Sequence, residues 1–185
     1  MTLPIDIEIW QGEIAELEVD AVIIPANESL FMTAPVAAAV KRHAGDGVET
    51  EAVAQGPVQA GSAVVTGGGR LAAPYVIHAV GVGHDLQHDA ARLRRAVDAA
   101  LDAVDHLSLR RIAVGPIGVE RGVFTSSEAA EILLERIIDR AEGGSGTPES
   151  VVVAVTRSEE LAEYQAALEG RRVRRAAALP LDESA

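Results

Sequence analysis

Apolar and charged residues alternate along Ile5, Asp6, Ile7, Glu8 and Ile9, the period of a strand with one wet face, which belongs near a sheet edge. Ala21 to Ile24 is instead an unbroken apolar run stopped by Pro25, the pattern of a central strand covered on both faces. After a loop entered at Asn27, Pro35 suits the first turn of a helix, and Val36 to Ala44 supplies helix formers up to Gly45 as C-cap. A second short helix follows over Val48 to Ala54. Strands are then expected at Ser62 to Thr66 and Tyr75 to Val80, connected through Gly67, Gly68, Gly69 and Pro74. From Asp89 to Val104 the apolar residues Leu93, Val97, Ala100, Leu101 and Val104 recur at helical spacing, with Arg92, Arg94, Arg95, Asp98 and Asp102 on the other side. The pattern continues as strand Arg111 to Val114, helix Ser126 to Ala141, loop Gly143 to Ser150, strand Val151 to Val155, helix Glu159 to Leu168 and a last strand around Val173. Strands alternating with helices predict a mostly parallel sheet with helices on both faces.

Length and composition narrow this picture. A chain of 185 residues suits one domain with a sizeable core, taken as residues 1–178 with a short flexible tail at 179–185. Hydrophobic residues make up 48% but aromatics only 3%, so the core is built from Ala, Val, Ile and Leu, and stacking partners for a base are scarce. The net charge of -12, from 28 acids against 16 Lys plus Arg, opposes binding to a nucleic-acid duplex. Arg171, Arg172, Arg174 and Arg175 form one basic cluster beside acids, read as a solvated strand edge. With no cysteine, disulfides, thiolate nucleophiles and Cys-ligated zinc are excluded. The first residues carry no secretory pattern, and no apolar run approaches the ~20 residues that span a bilayer. The expectation is a soluble, cytoplasmic protein without a membrane partner.

Several segments, in order along nearly the whole chain, are more specific than the element order. Gly12-Glu13-Ile14 follows the first strand, and Val19 to Ile24 runs into Pro25-Ala26-Asn27. Further on come Gly61 to Thr66, Tyr75 to Gly81, and Ser126 to Ile132 after a glycine-containing loop. In these segments the chain resembles the macrodomain family. The resemblance implies a three-layer α/β/α fold with a mixed, mostly parallel sheet of about six strands, and ADP-ribose or a related nucleotide in a cleft at the sheet edge. Glu13 and the backbone of Ile14 are thereby assigned to the adenine edge, Glu13 being one methylene longer than the Asp of many members. Asn27 is assigned to the distal ribose, where an amide can both donate and accept; its bland reading is a turn-former after Pro25. Ala26, Thr33 and Val36 in the first loop, and Gly118, Val119, Arg121, Gly122 and Phe124 in the second, complete the implied ligand set.

Departures from the family pattern bear on function. Where members carry a glycine-rich phosphate loop, this chain has Phe31 to Val36 with no glycine, and Pro35 lacks an N–H. A branch of hydrolytic members places an Asp just after that loop; Ala37 stands there, leaving the acid–base role without a holder. In the second loop Glu120 occupies a glycine position, where a carboxylate repels a diphosphate unless it points away. Arg121 could compensate as a phosphate contact or pair with Glu120 as a solvated residue, and Phe124 has the alternative role of a hydrophobic staple.

Other constellations carry less. His84 and His88, with Asp85 and Asp89, have a spacing that could chelate a metal on a helix, but they also read as a polar helix entry with Asp85 or Asp89 as N-cap. His78 reads as a hydrogen-bonded core histidine, and Gly67 to Gly69 as a strand connection rather than a phosphate loop. No metal, cofactor or catalytic residue is assigned. The leading expectation is an ADP-ribose-binding module, free or protein-linked, that is non-catalytic or weakly active. The alternatives are a hydrolase of ADP-ribosyl or O-acetyl-ADP-ribose linkages, and a degenerate assembly unit with Phe31 and Met32 exposed as an apolar contact.

Overall fold

A computed structural model describes residues 3–144 and 148–178; the expected tail, 179–185, lies outside the described residues. The strands are β1 (Asp6–Gln11), β2 (Ala21–Pro25), β3 (Ala63–Gly67), β4 (Tyr75–Ala79), β5 (Arg111–Val114) and β6 (Ser150–Val155). Between and after them come the helices α1 (Pro35–Ala44), α2 (Asp46–Ala54), α3 (Ala90–His106), α4 (Ser126–Glu142) and α5 (Ser158–Ala178). The sheet order is β1-β6-β5-β2-β4-β3, with every pairing parallel except β3 against β4.

This order explains the sequence patterns. The alternating β1 is an edge strand, and the all-apolar β2 lies between β4 and β5 with every residue buried. Its side chains serve two cores because successive residues point to opposite faces. Ala21 and Ile23 pack with Leu93, Val97 and Leu101 of α3, Leu133, Leu134 and Ile137 of α4, and Tyr164 of α5. Val22 and Ile24 pack instead with Ala37 and Val40 of α1 and with Ile14. The result is three layers, filled mainly by aliphatic side chains. His78 of β4 is fully buried and bonded to Thr66 Oγ1 at 3.0 Å; burial lowers its pKa to about 4, so it stays neutral.

The chain departs from expectation at its C-terminal end. No strand forms around Val173, because α5 runs through it unbroken and leaves Val173 59% exposed. The Arg cluster is consequently a helix face and not a strand edge. Arg171 reaches Glu131 at 3.0 Å and Glu135 at 3.3 Å, Arg174 reaches Glu131 at 3.0 Å, and Arg175 pairs with Glu142, all on α4. Those acids align Arg171, Arg174 and Arg175 along one helical face, whereas Arg172 meets Glu169 of α5 itself at 3.7 Å; a period-two strand could not supply this arrangement.

At the start of α1, Ala34 is the N-cap and offers no side-chain bond to the first turn. A hydroxyl there would accept one of the unpaired N–H groups. Ala34→Ser is expected to raise stability by about 1 kcal/mol, measured as the midpoint shift in urea unfolding.

Candidate functional site

The carboxyl ends of β6, β5, β2 and β4 share one edge of the sheet, since these strands are parallel. From β2 the chain proceeds toward β4 and β3, whereas from β5 it proceeds toward β6 on the other side. Such a divergence leaves a crevice between the two departing loops, the usual ligand position in open α/β sheets. A cavity of about 590 Å³ opens there. Its walls are Pro25, Ala26, Asn27, Ser29, Phe31 and Thr33 to Pro35 after β2, Val82 to His84 and Leu86 after β4, and Glu120 and Arg121 after β5.

The loop after β2 is braced from within and from below. Asn27 Nδ2 donates to Phe31 O at 2.8 Å, and Asn27 Oδ1 accepts from Ser29 N at 3.0 Å. Asn27 therefore shapes the turn and borders the cavity at the same time. Val58 N donates to Glu28 O at 2.9 Å, and Met32 N donates to Glu49 Oε2 at 2.7 Å. Glu49 is held by Lys41 at 2.7 Å, and that bond lowers its pKa from the ordinary carboxylate value. Met32 is consequently buried at 3% exposure, contrary to the expectation that it projects with Phe31, which alone is exposed at 51%. Thr33, Ala34 and Pro35 line the cavity without filling it. Ala37 is 2% exposed and packs beneath α1.

The loop after β5 is folded upon itself. Gly118 N donates to Glu120 Oε2 at 2.7 Å, Gly122 N to Val119 O at 3.0 Å, and Phe124 N to Gly118 O at 3.1 Å. These are donors that sequence reasoning aimed at an anion; the structure engages them internally. Burial pushes the Glu120 carboxyl up to about 7, and its Oε1 has no partner among the described residues. No Glu120–Arg121 pair forms, because the carboxylate turns toward the Gly118 N–H. Arg121 is thereby left exposed at the cavity, with a left-handed backbone (φ 55).

Of the residues singled out from sequence, Ala26, Asn27, Thr33 and Arg121 meet at the cavity. Glu13 and Ile14 form a short turn after β1, with Ile14 in the second core. Val36 packs over Gly115, Gly118 is buried, Val119 is half-buried, Gly122 is exposed with φ 72, and Phe124 is 2% exposed in the core. Asp89 caps α3 by accepting from Arg92 N, while Asp85 pairs with Arg92 at 2.8 Å. The two histidines precede that helix and diverge. His88 meets Glu128 at 3.2 Å and the Phe124 ring at 4.1 Å between centroids. His84 Nε2 lies 3.4 Å from Ser29 Oγ, and its Nδ1 lies 3.4 Å from Glu28 Oε2. Ser29, His84 and Leu86 were missed as cavity residues; the rule that ligands sit past the carboxyl ends of parallel strands would have pointed to them.

The family model for the Macro domain matches residues 23–133. The ADP-ribose glycohydrolase MACROD1 of Mus musculus is 32% identical over 80% of this chain and 47% of its own length. A macro domain-containing protein of Caldanaerobacter subterraneus is 34% identical over 75% of this chain and 83% of its own. Among solved structures, a Trypanosoma brucei macrodomain in complex with ADP-ribose superposes with a TM-score of 0.82 at 23% identity, over 88% of this chain and 68% of that one. An Oceanobacillus iheyensis macrodomain with ADP gives 0.77 at 24% identity, over 91% and 92%. This chain thus spans about half the mouse glycohydrolase and nearly all of the Oceanobacillus domain.

Proposed function

Because this chain belongs to the macrodomain family, we propose that its sheet-edge cavity binds ADP-ribose, either free or attached to a protein. The observation that carries this reading is the cavity of about 590 Å³, which Thr33, Ala34 and Pro35 leave open. That volume suits a small-molecule ligand. Solved relatives hold ADP and ADP-ribose. Asn27 keeps a second amide proton and a second carbonyl lone pair for a ribose hydroxyl. Arg121 supplies charge-assisted bonds to the diphosphate, in place of the missing glycine-loop donors. Glu13 and Ile14 take the adenine on the β1 side of the same edge.

Toward ADP-ribose linkages the module is proposed to be non-catalytic or weakly active, since Ala37 presents no carboxylate to activate water. The second reading, a hydrolase of ADP-ribose linkages, is favoured by the 32% identity to a glycohydrolase. Calorimetry with ADP-ribose tests binding: Asn27→Ala is expected to weaken it about tenfold, the worth of roughly one good hydrogen bond. Absence of heat from the wild-type protein at millimolar ligand would refute the nucleotide reading. Release of ADP-ribose from a modified protein above the boiled control would move the assignment to the hydrolase.

A further inference from the structure

We infer that Ser29, His84 and Glu28 form a nucleophilic relay at the mouth of the cavity, and that the protein hydrolyses carboxylic esters of short acyl chains. This activity goes beyond ADP-ribose binding and does not depend on it.

His84 Nε2 is in hydrogen-bond contact with Ser29 Oγ at 3.4 Å, and Nδ1 lies 3.4 Å from Glu28 Oε2, within ion-pair range. A carboxylate can only accept, so its nearness to Nδ1 favours the tautomer protonated there, which leaves the Nε2 lone pair to the serine hydroxyl. That is the tautomer a general base needs, with the acid holding the ring in place. Both separations are long for hydrogen bonds, as between nucleophile and base in a resting site.

The frame around the relay is fixed. Glu28 Oε2 also accepts the backbone N–H of His84 at 2.8 Å, which ties the two loops together. Those loops leave β2 and β4, hydrogen-bonded neighbours in the sheet. Ser29 N is held by Asn27 Oδ1, and the next residue, Leu30, is anchored in the protein at 1% exposure. Ser29 and His84 both face the cavity, beside the exposed apolar side chains of Phe31 and Leu86, which would hold an acyl chain.

The reaction proceeds in two balanced steps. Ser29 Oγ bonds to the ester carbonyl carbon while His84 Nε2 takes the hydroxyl proton; the C–O bond to the alcohol breaks, and the alcohol leaves with that proton. Water then attacks the acyl-serine, with His84 accepting its proton and returning it to Ser29 Oγ, so that the free acid leaves and the serine is restored.

The test uses the full chain with a fluorophosphonate probe and with p-nitrophenyl butyrate. One phosphonyl adduct is expected by intact mass, mapped to Ser29 by peptide sequencing. Ser29→Ala and His84→Ala should each lower kcat/KM for the ester by about 100-fold or more, and Ser29→Ala should take no label, with thermal melting confirming that both variants fold. An unlabelled wild type, an adduct elsewhere, or unchanged hydrolysis by Ser29→Ala would overturn the relay. Label at Ser29 without heat from ADP-ribose would uphold it while refuting the nucleotide reading; the converse result would refute the relay alone.

Discussion

Replacing Glu120 by Gln is expected to stabilise the protein by about 3 kcal/mol at pH 8 and to change little near pH 4. The Glu120 carboxyl is pushed up by burial from 4.5 to about 7. A raised carboxyl is neutral and harmless below pH 4.5. Stability is lost as pH rises from there through 7, at about 1.4 kcal/mol per pH unit, because the folded state retains the proton longer. His78 has the opposite sign. Its pKa falls from 6.5 to about 4, so its contribution is full above pH 6.5 and is lost as pH drops toward 4. Between about 4.5 and 6.5 the two slopes oppose each other, and the wild-type stability profile should be nearly flat. Glu120→Gln keeps an acceptor for the Gly118 N–H and removes one slope. Urea unfolding of the variant should therefore show stability climbing from pH 4.5 to 6.5. Equal stability of variant and wild type at pH 8 would mean that the carboxylate is solvated there.

Gly118→Ala should cost about 3 kcal/mol, or close to 10 °C in thermal midpoint. Two independent penalties act at this position. The backbone has φ 100, which an L side chain rarely adopts, and an added Cβ would lie 2.7 Å from Leu93 Cδ2 and 3.3 Å from the Phe124 ring. Neither neighbour can yield freely, since Leu93 is 1% exposed and Phe124 2%. Differential scanning calorimetry reads the shift; a loss under about 1 kcal/mol would show that the loop relaxes around the methyl group.

Much of the fold was legible because the relevant signals are local. Alternation in β1 marked an edge, the apolar run of β2 marked a doubly covered strand, and the spacing of Leu93, Val97, Leu101 and Val104 marked the buried stripe of α3. Val173 misled because a lone apolar residue among arginines carries no period, and the helix there packs its arginines against acids on α4, 33 to 43 positions away. The site was legible only in part. Asn27 stood out by its place after β2, whereas Glu120 could not reveal that its carboxylate turns inward to Gly118 N.

What the chain determined by itself is the succession of strands and helices, the apolar face of each, and the absence of thiol chemistry, since these follow from residue type and short-range periodicity. The tertiary structure alone decided that Ser29 meets His84 across 55 positions, that Met32 is buried while Phe31 is not, and that Thr33 to Pro35 leave the cavity open. Each of those depends on strand order and register, which bring distant loops to one sheet edge; periodicity along the chain specifies a face but not the neighbour opposite it.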